Sequence, residues 1–148
     1  MREALAALFA RGIPVVAYNA AYDFSLLRHE CLRHGLAALT PQPVIDPLVI
    51  DKRIDRYRRG KRTLTHVAEH YGVDLSGAHE ASADAEAAGR VALAIARRYP
   101  AQFGESALGL HTAQIGWARD QAASLTEYFI RIGRLEPHET LDEAWPVR

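Results

Sequence analysis

Pro14-Val15-Val16-Ala17-Tyr18-Asn19-Ala20-Ala21-Tyr22-Asp23 is the stretch on which the fold turns. Its first half, Pro14 to Tyr18, is a brief apolar run with two β-branched valines and reads as a buried strand. The second half passes through Asn19 directly into a helix that extends to about His34, before Gly35. A strand that feeds straight into a helix predicts an α/β unit. Upstream, Leu5, Leu8 and Phe9 recur at helical spacing, and Gly12 with Ile13-Pro14 supplies the left-handed cap and the ring-locked residue that stop a helix. Met1-Arg2-Glu3 carries a charge of each sign with no small-residue cleavage site after it, so it reads as a helix start and not as a signal peptide.

Downstream, Val44 to Ile50 is a second β-like run, which Pro47 confines to an edge, a bulge or an early end. Lys52 to Arg62 reads as a strongly basic loop. Thr63 then caps a helix whose Leu64, Val67, Ala68 and Tyr71 keep the i, i+3, i+4, i+7 rule, with Gly72 ending it. After a Ser76-Gly77 turn the longest helix is predicted from about Ala81 to Tyr99, closed by Pro100. A connector over 100–110 leads to a last helix from about His111 to Ile132, in which Trp117, Leu125, Tyr128 and Ile132 fall broadly on the packing side. The 148 residues suit one domain, with 1–99 as its core. Two short strands and five helices do not make a self-sufficient sheet, so the α/β unit is expected to begin partway through.

Composition narrows the classes. With 49% hydrophobic and 24% charged residues the chain is an ordinary soluble globular sequence, neither disordered nor a disulfide mini-protein. Eighteen basic and eighteen acidic residues cancel, so a nucleic-acid or lipid partner must be held locally. The single cysteine, Cys31, fits a reducing, cytoplasmic compartment, and no stretch approaches the roughly 18 apolar residues of a membrane span.

Three side chains carry the candidate chemistry. Asp84 falls in the stripe of Ala88, Val91, Ala92, Ile95 and Tyr99, the side of the long helix that should pack inward, where a carboxylate wants a cation, donors or a metal ion. The alternative is a first-turn Asp favoured by the helix dipole and solvated at the rim. His79, five residues upstream, enters the same helix. Asp23 follows the first strand, at the carboxyl end where open α/β sheets bind ligands. Two aspartates and a histidine suggest a site for a hard cation, Mg²⁺ or Mn²⁺.

Val15 to Asp23 resembles the second motif of the DEDDh 3′–5′ exonucleases, the family of the proofreading epsilon subunit of bacterial DNA polymerase, with Tyr18 in place of the usual His and Tyr22 in place of the usual Phe. His79-x-Ala81-x-x-Asp84-Ala85 matches the third motif without departure. The resemblance covers about residues 1–99. It implies a ribonuclease H-like α/β fold and two-metal hydrolysis of the 3′-terminal phosphodiester of DNA or RNA. Asp23 and Asp84 would then be metal ligands, His79 the general base, and Asn19, Tyr22 and Phe24 substrate contacts.

The family's first motif, an Asp-x-Glu pair on an opening strand, has no counterpart here. Asp84-Ala85-Glu86 has the letters, but on a helix residues two apart point about 200° apart. The chain is therefore expected to be an N-terminally truncated member, weakly active or inactive alone, its first strand open at one edge to self-association and its last helix available to a partner. A catalytically dead nucleic-acid-binding or scaffolding module is the competing expectation. His66-Val67-Ala68-Glu69-His70 spells the inverted zinc-peptidase signature, but helical spacing turns both histidines to solvent. Gly60-Lys61-Arg62-Thr63 lacks the upstream glycine of a phosphate loop. The cations from Lys52 to Arg62 are either a solvated loop or a grip on a nucleic-acid backbone, with Tyr57 as a stacking face.

Overall fold

Gly12 joins the first two elements. α1 (Arg2–Ala10) is capped at Arg11, Gly12 adopts φ +68°, and the Gly12 and Ile13 amides donate back to Phe9 and Leu8. Only glycine makes that left-handed reversal without a Cβ penalty, and it aims the chain into β1 (Val15–Val16). The computed structural model describes residues 1–75, 81–104 and 106–148. After β1 come α2 (Ala20–Arg33), β2 (Val44–Ile45), α3 (Pro47–Ile54), α4 (Leu64–His70), α5 (Ala81–Arg98), a 3₁₀ turn over Pro100–Gln102, and α6 (Ala107–Arg131). The strands pair in parallel, Val15 opposite Val44 and Val16 opposite Ile45.

Alternation along the strands divides the core. Val15, Ala17 and Val44 pack with Phe9 of α1 and with Ala20 and Phe24 of α2. Tyr18 and Ile45 pack with Val67 of α4 and with Val91 and Ile95 of α5. The small sheet thus lies between two helical layers, and Trp117 of α6 touches both clusters. Among the described residues no helix is long and apolar enough to cross a membrane.

The second run does not stay extended to Ile50. Asp46 accepts from the Leu48 amide and Pro47 occupies the first helical turn, so the chain turns helical directly after Ile45. Asp-Pro is a helix start, because proline's fixed φ and missing N–H suit that position. As a result Lys52 and Arg53 belong to α3, not to a loop. α6 likewise begins earlier than expected, capped by Ser106.

The packing side of α6 also departs from expectation. Trp117 is half-buried, whereas Leu125, Tyr128 and Ile132 are 42%, 44% and 43% exposed. The buried residues are Leu110, His111, Gln114, Ala122 and Thr126, three of them polar. The reason lies at the outer edge of β2, whose backbone groups need partners that no strand among the described residues supplies. Gln114 Oε1 accepts from Asp46 N–H at 2.7 Å, and its Nε2 donates to the Val44 carbonyl at 3.0 Å. Val44 N–H donates to His111 Nδ1 at 3.1 Å. A helix meets the needs of a strand edge here with polar side chains.

Candidate functional site

Asp46 organises the carboxyl ends of the strands. Its side chain is buried and receives the backbone N–H of Asn19 (3.0 Å), of Ala20 (2.9 Å) and of Leu48 (3.0 Å), with the Trp145 indole at 3.4 Å. One carboxylate therefore caps α3 and also holds the turn that opens α2. Burial raises its pKa, and the N–H donors oppose that rise. Asn19 is left-handed at φ 63° and ψ 46°, a conformation asparagine tolerates better than most residues, and it makes no capping bond with its own side chain. That side chain is exposed, as is Tyr22 at 68%.

Asp23 lies exposed in the first turn of α2, where the helix dipole favours a carboxylate. Desolvation raises its pKa, and a backbone hydrogen bond partly offsets this. Phe24, expected among the substrate contacts, is 6% exposed and packs against Phe9 with ring centroids 6.1 Å apart, so its place is in the core. Tyr18 is tied down too, its hydroxyl donating to the Arg62 carbonyl at 2.7 Å. Burial and the nearby Asp51 and Asp46 raise its pKa.

Asp84 occupies the first turn of α5. The apolar stripe below it is buried as the periodicity predicts, through Ala88, Val91, Ala92 and Ile95, but Asp84 itself is exposed. The rim position, not the buried one, is correct, because the stripe leaves the core before reaching the helix end. Asp84 borders a depression of about 60 Å³ together with Asp74, Glu86 and Arg90, and Asp23 is not part of its wall. His79 falls outside the described residues. Oxygen donors suit Mg²⁺ or Mn²⁺ in kind, yet among the described residues no group of three or more His, Cys, Asp or Glu side chains is placed to hold an ion.

The basic segment divides in two. Asp51, fully buried, receives Arg58 Nη2 and Arg62 Nη1 at 2.6 Å each on Oδ2, and the Tyr71 hydroxyl on Oδ1 at 2.9 Å. Those two arginines brace the fold, and Arg62 also donates to the Asp55 carbonyl. Tyr57, the expected stacking face, is 85% exposed, with the Arg56 guanidinium 5.7 Å from its ring centroid. On α4 the histidines of the zinc-peptidase spelling are exposed, with Val67 and Ala68 buried instead.

The RNase_T family model, described as an exonuclease, matches residues 1–92. The chain belongs to this exonuclease family. Its curated relatives include the PolC-type DNA polymerase III of Lacticaseibacillus paracasei, 32% identical over 108 residues, which are 73% of this chain and 7% of that protein. The PolC-type DNA polymerase III of Streptococcus thermophilus is 36% identical over 84 residues, 56% of this chain and 6% of its own length. That of Streptococcus pneumoniae is 34% identical over the same extent. The chain thus corresponds to a small part of each of these relatives. No solved structure matches it. The family match takes in α1 through most of α5, with both motif segments, and leaves out α6.

Asp46 is the site residue that motif reading passes over. Its signal is present in Asp46-Pro47, an N-cap followed by the residue that best opens a helix.

Proposed function

We propose that this exonuclease-family chain removes nucleotides from the 3′ end of DNA or RNA, with Asp23 and Asp84 as candidate ligands for Mg²⁺ or Mn²⁺ and His79 as general base. In that reaction a water oxygen bonds to the phosphorus of the 3′-terminal phosphodiester, the bond from that phosphorus to the 3′ oxygen of the preceding nucleotide breaks, and His79 takes the water's proton. The departing 3′ oxygen takes a proton from solvent, leaving a nucleoside monophosphate and a new 3′-hydroxyl end. A histidine near neutral pKa suits that task and typically contributes about 10²–10⁴-fold. Asn19 and Tyr22 meet the terminal nucleotide, and Asp46 sets their position through the Asn19 and Ala20 amides.

The observation that supports this reading best is the exonuclease match over residues 1–92, which includes both aspartates. Each stands in the first turn of its helix. β1 leads into the helix of Asp23 and packs against the helix of Asp84. Two carboxylates against two divalent ions leave excess positive charge, so slow turnover is expected of these 148 residues by themselves. The test is single-turnover digestion of a 5′-labelled oligonucleotide with protein in excess. Stepwise shortening with Mn²⁺ is expected, abolished by EDTA and by Asp23→Asn or Asp84→Asn. Binding without shortening would overturn the proposal in favour of a non-catalytic nucleic-acid module, and shortening that persists in Asp84→Asn would overturn the assignment of that residue.

A further inference from the structure

Between α3 and α6 lies a cleft of about 310 Å³, whose walls carry Lys52, Arg53 and Arg56 on one side and Trp117, Ser124 and Tyr128 on the other. We infer that this cleft binds a single-stranded segment of nucleic acid, with backbone phosphates against Lys52, Arg53 and Arg56 and a base against Tyr128. It deepens the proposed function and rests on it for the direction of the strand, but it requires binding alone, not cleavage.

Charge in the cleft favours a polyanion. Arg58 and Arg62 are matched by Asp51, whereas Lys52, Arg53 and Arg56 form no ion pair among the described residues. Arg56 donates to the neutral Ser124 hydroxyl at 2.9 Å, and the Arg53 guanidinium lies 5.9 Å from the Trp117 ring centroid. Asp120 is the one carboxylate among the described residues of the wall, against the three cations Lys52, Arg53 and Arg56 that Asp51 does not neutralise. Burial lowers the pKa of Lys52, and the nearby Arg62 and Arg148 lower it further against the pull of Asp46 and Asp51. With a net charge of zero overall, this excess of cations is local.

Beside the cations stand apolar and aromatic faces. Tyr128 and Leu125 are both more than two-fifths exposed, and Arg131 sits 5.5 Å from the Tyr128 centroid. An open aromatic flanked by guanidinium groups suits a nucleobase, which a bare anion or an acidic peptide does not offer. The cleft also shares wall residues with a cavity beside the second-motif turn. Lys52, Gln121 and Leu125 border an adjoining cavity of about 280 Å³ that reaches Asn19 and Ala21, and a further one of about 350 Å³ extends from those residues to Tyr22. These shared residues set the basic cleft and the turn that precedes Asp23 next to one another, as a strand leading away from a 3′ terminus held at that turn requires.

Fluorescence anisotropy with 5′-fluorescein dT20 and U20, in EDTA to prevent cleavage, tests the inference. Arg53→Gln/Arg56→Gln, both at exposed positions, is expected to weaken binding about tenfold and to reduce the slope of log affinity against log salt by about 1.4, at about 0.7 per lost phosphate contact. Tyr128→Ala is expected to weaken binding about fivefold or more with the slope unchanged. Unaltered thermal unfolding of these variants confirms that they fold. Wild-type affinity and slope in the double variant would overturn the inference. So would undetectable binding by the wild type, or equal competition by polyglutamate at matched charge. Binding without shortening sinks only the proposed function, and shortening by the wild type together with unchanged binding by Arg53→Gln/Arg56→Gln sinks only this inference.

Discussion

Replacing Asp46 tests whether one buried carboxylate holds the second-motif turn in place. Asp46→Ala strands the Ala20 N–H, which is fully buried, at a cost of about 1–3 kcal/mol. It also removes the cap of α3, worth about 0.5–2 kcal/mol. The Asn19 bond is only part-buried and the Trp145 contact is long at 3.4 Å, so each adds less than the Ala20 bond. Removing the carboxylate relieves its own burial penalty, but the donors that compensated it stay behind without an acceptor, and that second effect wins as it does when a buried pair is broken. The expected loss is about 2–5 kcal/mol, a large share of the roughly 5–15 kcal/mol that stabilises a domain. Thermal unfolding should fall by about 4–20 °C. Asp46→Asn keeps one acceptor for Asn19 and Leu48 but sets its NH₂ against the Ala20 donor, so it should fall between wild type and Asp46→Ala. Urea unfolding followed by tryptophan fluorescence supplies the energies, and hydrogen exchange at the Ala20 amide supplies the location. If both variants lie within about 0.5 kcal/mol of wild type, or Ala20 stays protected in Asp46→Ala, Asp46 is not the clamp on this turn.

His111 accepts from Val44 N–H through Nδ1 and so must be neutral there, and burial lowers its pKa. The unfolded chain then binds a proton that the native one does not, so stability should be complete above about pH 6.5 and should fall, by up to about 1.4 kcal/mol per pH unit, as pH drops toward the native pKa. The difference between wild type and His111→Gln in urea unfolding isolates this slope from the carboxylates, and a pH-independent difference would refute it. Asn19→Gly should leave stability within about 0.5 kcal/mol, because glycine adopts φ 63° freely and no capping bond is lost, whereas shortening of the 5′-labelled oligonucleotide should slow. Asp51→Ala should cost about 3–5 kcal/mol by leaving Arg58 and Arg62 part-buried without their anion. Tyr71→Phe, measured in the same urea titration, should cost only about 1 kcal/mol.

Elements marked by glycine, proline and strict periodicity are legible from the chain alone. Gly12 and Gly72 stop α1 and α4 in the left-handed conformation, and Val67, Ala68, Val91 and Ile95 are buried as their spacing requires. Elements decided by tertiary partners are not. In the run from Val44 to Ile50, Pro47 signals an edge, a bulge or an early end, and the early end is what occurs; the helix that follows is not legible, since the apolar character of Leu48, Val49 and Ile50 suits either a strand or a helix and the Asp46 cap decides between them. Asp84 shares the buried stripe in projection, but a helical wheel carries no information about where along its length a helix leaves the core. His111 and Gln114 look like surface residues until the bare edge of β2 is in view. Motif residues are legible as letters, while the buried acid that positions them is not, because two of the backbone amides it receives, those of Asn19 and Ala20, are distant in sequence.

The residues that match the exonuclease family do not hold their own site together. Gln114 lies beyond the match at residue 92, yet it accepts from the Asp46 amide, and the Asp46 carboxylate fixes the turn from which Asp23 projects. Trp117, on the same helix, packs into both core clusters. α6 therefore acts on the candidate site from outside the matched segment, through its polar side. While His111 and Gln114 are committed to β2 and Leu110 and Trp117 to the core, Leu125, Tyr128 and Ile132 further along the same helix are left exposed. Tyr128 then stands open in the cleft that also holds Arg53 and Arg56, so the same helix that steadies the turn before Asp23 also supplies part of the surface on which a strand would lie.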